Sequence, residues 1–334
     1  MVLVPGSIGT GEKARHLAGI LAAHQDALDP ERQVVVVIGT DPADAAAGLL
    51  AEAPSRCVLW DDAGEARRAL RAIRPDGTLR EGWLLVDPGL RVFGLWPLEA
   101  GAEAMATFAA LPPPDHHAGV PLHAPVLIVP RVFEPAFCRR LVGFHRNRLA
   151  AQGAAALVPE EEDGAAYPRR VRRSAVMVTE TELQVQIRGR LNMRLVPELR
   201  RAFRFEASRM ERFLIACYDA AERAHFGPHR DDDAPGSAHR RFAASINIGG
   251  DRYDGGDLRF PEYGMATYRA PPGGAVVYAC SLLHEVRPVT RGRRFVCLPF
   301  LFDETAARER DEAARQRDEA ARPAALPARA AARR

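Results

Sequence analysis

Near the C-terminal end of this 334-residue chain, His229-Arg230-Asp231 is followed by His284 and, ten residues later, by Arg294. Two imidazoles and one carboxylate make the facial ligand set that holds Fe(II) and leaves coordination positions open. A cation at this distance after the second histidine is placed to hold a dicarboxylate cosubstrate beside the metal. The combination points to oxidation by O2 with 2-oxoglutarate as co-reductant. A histidine pair alone is a weak signal, since the chain has 10 histidines; agreement with the surrounding pattern gives it weight. His229 and Asp231 are two apart, so on a strand both would share a face. His284 opens a strand after the apolar run 275–279, and Arg294 heads the next one. Strand alternation lets only one of Arg293 and Arg294 face inward.

The elements that must position these residues are short β runs at 213–218, 242–248, 257–260, 275–279, 284–289 and 294–302. Gly255-Gly256 and Pro271-Pro272-Gly273-Gly274 punctuate them as turns. Evenly spaced short strands after helices indicate a β-sandwich or barrel with helical support. Ahead of them the pattern predicts a strand at 126–129, a helix from Glu134 to Ala151, and a helix from Thr181 to Phe203 broken near Pro197. Between these, Glu160-Glu161-Glu162-Asp163 and Arg169 to Arg173 flank Tyr167-Pro168, either as a solvated loop or as a lid over the site.

The segments "CYDAAERAHFGPHRDD", "SINIGGDRYDGGDLRFPEYG" and "PPGGAVVYACSLLHEVRPVTRGRRFVCLPF" resemble the prolyl-4-hydroxylase-like branch of the Fe(II)/2-oxoglutarate dioxygenases. The resemblance covers about residues 122–304 and implies a double-stranded β-helix, or jelly roll, with supporting helices. It implies that His229, Asp231 and His284 ligate iron and carry the catalysis. It also implies that Arg294 holds the distal carboxylate of 2-oxoglutarate by a charge-assisted contact. Tyr218 matches a tyrosine that contacts the cosubstrate, Ser245 lies where relatives place a hydroxyl near that carboxylate, and Asn247 faces the same cavity. Fe(II), 2-oxoglutarate, O2 and ascorbate as reductant follow as cofactors. A small-molecule or peptidyl substrate follows as partner, most simply a prolyl or other amino-acid residue. His225, Asp232, Asp233 and a solvent-exposed His239 take structural or solvated roles, and Glu285 points away from the metal by alternation.

The first part of the chain alternates differently. A helix over 11–28, a β-branched run Val34–Ile38, a helix opened by Asp41-Pro42, a strand at Val58–Trp60 and a helix from Gly64 to Ile73 come first. A hairpin about Asp87-Pro88-Gly89 and a helix from Leu98 to Leu111 follow. This order is that of a small three-layer α/β domain. "VVVVIGTDPADAAAGLLAEAPSRCVLWDDAGEARRAL" and "GWLLVDPGLRVFG" resemble the thioredoxin-like fold, specifically its peroxiredoxin branch. A peroxiredoxin needs a low-pKa cysteine at a helix N-terminus; here "PGSIGTGEKARHL" offers Ser7 and no cysteine. The loop 78–82 also lacks the supporting proline. The domain therefore reads as redox-inactive, with Cys57 a structural thiol.

The resulting organisation is a thioredoxin-like domain at 1–111, a Pro-rich linker at 112–121, a dioxygenase domain at 122–304 and an Ala/Arg/Glu-rich helical or disordered tail at 305–334. A net charge of +3 on this length implies no nucleic-acid partner. No apolar run approaches the roughly 20 residues that span a bilayer. The 5 cysteines lack CxxC spacing, which fits a reducing compartment and a cytoplasmic location. The fusion suggests that the first domain recruits a protein partner or builds a dimer contact. Two other readings stand beside the hydroxylase: a non-catalytic iron- and 2-oxoglutarate-binding module, and a peroxide-handling redox protein.

Overall fold

The computed structural model describes residues 1–9, 11–30, 32–41, 44, 53–112, 116, 119–153, 171–249 and 252–320. They fall into two units, one formed by Met1–His123 with Glu262–Met265, the other by Ala124–Pro261 with Ala266 onward.

The first unit is built on β1 (Val2–Val4), α1 (Glu12–His24), β2 (Val35–Gly39), β3 (Arg56–Trp60), α2 (Glu65–Ala69), β4 (Gly82–Val86), β5 (Val92–Trp96) and α3 (Gly101–Ala109). The sheet order is β3-β2-β1-β4-β5. The first three strands run parallel; β4 and β5 are added antiparallel. Alternation sorts the strand residues onto two faces. Leu3, Val35, Val37, Trp83 and Leu85 pack against Leu17, Ile20 and Leu21 of α1 and Met105 and Phe108 of α3. Val2, Val4, Ile38 and Leu84 form the opposite core. The helix expected from Gly64 to Ile73 is shorter, because Arg71 takes a left-handed φ of 54° that no helix continues through. The helix expected after Asp41-Pro42 lies outside the described residues except for Asp44. That buried carboxylate accepts the backbone N–H groups of Ile8 and Gly9 at 3.0 and 2.8 Å. Cys57 is half-buried on β3.

The second unit contains β6 (Leu127–Val129), α4 (Pro135–Gln152), β7 (Val171–Arg172), β8 (Ser174–Met177), α5 (Thr181–Arg194), α6 (Val196–Phe203), β9 (Arg209–Asp219) and β10 (His225–His229). It continues with β11 (Phe242–Gly249), β12 (Asp254–Gly255), β13 (Leu258–Arg259), β14 (Thr267–Tyr268), β15 (Ala275–Ala279) and β16 (His284–Val286). It ends with β17 (Val289–Arg291), β18 (Arg293–Phe302) and α7 (Glu304–Ala320). A six-stranded sheet, β6-β15-β11-β18-β9-β8, and a five-stranded sheet, β14-β13-β16-β10-β7, give the β-rich, jelly-roll architecture.

Pro135 starts α4, where its missing N–H costs nothing. Pro197 separates α5 from α6, since it cannot donate within a continuous helix. The outer face of the large sheet carries Phe213, Ile215, Cys217, Ala244, Ile246, Ile248, Phe295 and Cys297. These pack against Phe137, Leu141, Leu183, Ile187, Leu191 and Leu199 of the three helices. That leaves Tyr218, Ser245, Asn247 and Arg294 on the other face by alternation. The acidic run 160–163, Tyr167 and Pro168 lie outside the described residues, as does the chain after Ala320. Among the described residues no helix is long and apolar enough to cross a membrane.

Candidate metal centre

His229 ends β10 and His284 opens β16, and the two are partners across the antiparallel ladder. Gly227-Pro228 lies within β10, and the pairing shifts register between Phe226 and His229. A proline has no N–H for the ladder and is accommodated at such an irregularity. Asp231 was expected on the same strand as His229, sharing its face. It lies instead beyond the strand end, where its N–H donates to the carbonyl of Cys280 at 2.9 Å. The chain turn, rather than strand alternation, brings its carboxylate back to the histidines.

The three side chains are buried, and one possible ligand atom from each lies within 4.8 Å of the others. Asp231 Oδ1 is 3.6 Å from His229 Nε2, and Oδ2 is 3.4 Å from His284 Nε2. His229 Nδ1 meets the carbonyl of Gly227 at 2.8 Å, and His284 Nδ1 meets that of Leu282 at 3.0 Å. A carbonyl oxygen only accepts, so each Nδ1 carries the proton and each Nε2 offers a lone pair toward Asp231. Phe226 stacks on His229 with ring centroids 3.6 Å apart, and Tyr278 lies 4.6 Å from the His284 ring. These rings fix the imidazoles and keep water from their faces. Burial alone would raise the Asp231 carboxyl; the Arg240 cation works against it and favours the charged form.

Arg294 resolves the choice with Arg293, since Arg294 is 5% exposed and Arg293 points to solvent. It pairs in register with Tyr218 on β9. Its Nη2 donates to Ser245 Oγ at 3.1 Å. Its Nε and Nη1 are buried without a hydrogen-bond partner among the described residues. Buried unsatisfied donors on a cation are rare and call for an anion. Gly256 makes room for this arginine: it has a φ of 71°, and a Cβ there would lie 3.0 Å from Arg294 Cδ. Asn247 is on the same strand face as Ser245. Its amide nitrogen bonds the carbonyl of Ala270 at 2.9 Å and its Oδ1 accepts from the N–H of Gly249 at 3.1 Å. Those bonds tie the strand to its loops.

Several residues around the site carried no local signal in the sequence. His239 was expected to be exposed, yet it is buried, with Nε2 3.0 Å from Glu211 Oε2. Arg240 is buried beside it; its Nε donates to Glu211 Oε1 at 2.9 Å and its Nη1 reaches the Asp231 carbonyl at 3.4 Å. The polar loop thus folds inward because a β9 carboxylate far back in the chain bonds both side chains. Glu285 does point away from the histidines, but into a buried pair with Arg259 at 2.6 Å. Arg173, the end of an arginine run that resembles a solvated segment, donates to Tyr218 Oη at 2.9 Å and lies over the Phe226 ring at 4.8 Å.

Comparison with known proteins agrees with this chemistry. The model of the 2OG-Fe(II) oxygenase superfamily matches residues 213–302, the stretch that holds the three ligands and Arg294. That stretch is thus similar to a family that uses Fe(II), 2-oxoglutarate and O2.

Among curated relatives, the chain is 33% identical over 94 residues to a PKHD-type hydroxylase of Synechococcus sp. (strain JA-2-3B'a(2-13)), covering 26% of this chain and 41% of that protein. It is 42% identical over 78 residues to a PKHD-type hydroxylase of Paraburkholderia phymatum, covering 21% and 34%. The chain therefore spans less than half the length of these relatives. A Pseudomonas putida prolyl-4-hydroxylase structure is similar at a TM-score of 0.42 and 20% identity, over 54% of this chain and 94% of that one. The donor set fits the metal and cosubstrate of that family: two imidazoles and a carboxylate suit Fe(II), and the unmatched donors of Arg294 suit a carboxylate.

Proposed function

We propose that this protein is an Fe(II)- and 2-oxoglutarate-dependent hydroxylase acting on an unactivated C–H bond of an amino acid, prolyl or other, free or within a peptide. The observation that carries the reading is the buried His229–Asp231–His284 cluster, in the same fold unit as an arginine with two unpartnered buried donors. Bound iron would supply O2 activation coupled to oxidative decarboxylation of the keto acid to succinate and CO2. His229, Asp231 and His284 hold the metal through Nε2 and carboxylate oxygens. Arg294, aided by Ser245, holds the distal carboxylate and so fixes the orientation of the cosubstrate. Phe226 and Tyr278 exclude water from the imidazole faces.

The fold of the first unit supports a thioredoxin-like domain. Three parallel strands carry an antiparallel hairpin at one edge, with helices on both faces. Ser7 stands where a redox-active relative needs cysteine, so we read the domain as inactive toward peroxide and as a partner-recruiting or dimer-forming element. Five scattered cysteines without CxxC spacing support a reducing, cytoplasmic setting.

The test is succinate formation with Fe(II), ascorbate and 2-oxoglutarate, screened over prolyl peptides and free amino acids. Turnover that depends on one substrate class and vanishes in His229→Ala supports the reading. A metal-loaded wild type that makes no succinate with or without any substrate overturns it in favour of a binding module.

A further inference from the structure

We propose that Arg173 is a positioning residue for the cosubstrate: it fixes the Tyr218 hydroxyl as a hydrogen-bond donor to the keto acid. The inference rests on the dioxygenase reading and deepens it. Tyr218 is 1% exposed, and two guanidinium groups lie near its ring, Arg294 at 5.6 Å and Arg173 at 5.9 Å. A guanidinium has five donors and no acceptor, so the 2.9 Å contact between Arg173 Nη1 and Tyr218 Oη has one possible sense. The phenolic oxygen accepts, and the phenolic proton must go elsewhere.

Among the described residues no acceptor meets that proton, nor do any meet the Nε and Nη1 donors of Arg294, the residue paired with Tyr218 in register. Unmatched buried donors on neighbouring side chains, with a net positive charge beside them, call for an acceptor carrying negative charge. A dicarboxylate supplies it. Arg173 is itself held by the Phe226 ring at 4.8 Å, and Phe226 stacks on the metal ligand His229. A stack of Arg173, Phe226 and His229 thus ties the tyrosine's orientation to the metal centre. Arg173 is half-buried, so replacing it leaves the core intact.

The test is calorimetric titration of 2-oxoglutarate into Mn(II)-loaded protein, for wild type, Arg173→Met, Arg173→Lys, Tyr218→Phe and the Arg173→Met/Tyr218→Phe double variant. Loss of a hydrogen bond to a charged partner predicts about tenfold weaker 2-oxoglutarate binding in Arg173→Met. Mn(II) affinity should be unchanged and Arg173→Lys should recover part of the loss. Because Arg173 acts through the tyrosine, the double variant should bind no more weakly than Tyr218→Phe alone. Wild-type affinity in Arg173→Met, or additive losses in the double variant, would overturn the assignment while leaving the dioxygenase reading intact. A wild type that binds Mn(II) but no 2-oxoglutarate would overturn both.

Discussion

His229 and His284 face each other across neighbouring antiparallel strands, and each ring is bonded through Nδ1 to the carbonyl two residues before it, Gly227 at 2.8 Å and Leu282 at 3.0 Å. The two imidazoles are thus locked in one tautomer by the same local device, and both turn Nε2 toward Asp231. A site whose ligands are oriented before metal arrives loses little on binding it.

The first prediction concerns the carboxylate. Asp231→Ala removes the one anionic ligand and leaves two imidazoles, so Fe(II) affinity measured by anaerobic titration should fall at least about tenfold to a hundredfold. Retained affinity would mean that Asp231 does not reach the metal.

Arg294→Met should act on the cosubstrate and not on the metal. The lost charge-assisted contact predicts 2-oxoglutarate binding weaker by about tenfold or more at unchanged Fe(II) affinity. Ser245→Ala removes only the hydroxyl that bonds Arg294 Nη2, so its effect should be several times smaller. Equal effects would show that the serine binds the cosubstrate in its own right.

Gly256 predicts a steric result. Alanine there must hold a φ of 71° and place its Cβ 2.8 Å from Val289 Cγ2 and 3.0 Å from Arg294 Cδ. Gly256→Ala should lower stability by about 1–3 kcal/mol in urea melts and weaken 2-oxoglutarate binding as Arg294 shifts. A variant with wild-type melting and wild-type affinity would contradict that close packing.

The buried pairing of Glu211 with His239 and Arg240 predicts a pH dependence of stability. Burial raises the Glu211 carboxyl, but hydrogen bonds from His239 and Arg240 more than offset it and hold it at about 2, against an ordinary value of 4.5. A depressed folded-state pKa gives stability that is complete above the unfolded value and is lost as pH falls through the folded one. Between pH 4.5 and about 2 the wild-type melting temperature should therefore fall more steeply than that of Glu211→Gln. Parallel profiles would show that the carboxylate is not held by these partners.

Much of the site was legible in the sequence, for physical reasons that also explain the gaps. His229, Asp231, His284 and Arg294 announce themselves because ligand chemistry admits few residue types, and because short β runs and glycine turns bracket them. The route by which Asp231 arrives is not legible, since a two-residue spacing fits a strand and equally fits a turn stitched to Cys280. His239, Arg240 and Arg173 were invisible because their partners, Glu211 and Tyr218, are distant in the chain; a charged residue reads as solvated until the fold supplies its counterpart. In the first unit the apolar periods located β2 to β5, α1 and α3. The early end of α2 depends on one left-handed residue, Arg71, which no apolar pattern encodes.

The most direct test of the central claim is anaerobic absorption spectroscopy of Fe(II) and 2-oxoglutarate titrated into wild type and His229→Ala. A weak visible charge-transfer band that appears only in the wild type is expected, because keto-acid chelation needs the metal that His229 helps to hold. A folded wild-type protein that gives no band, or a band that survives in His229→Ala, would contradict the assignment of this centre.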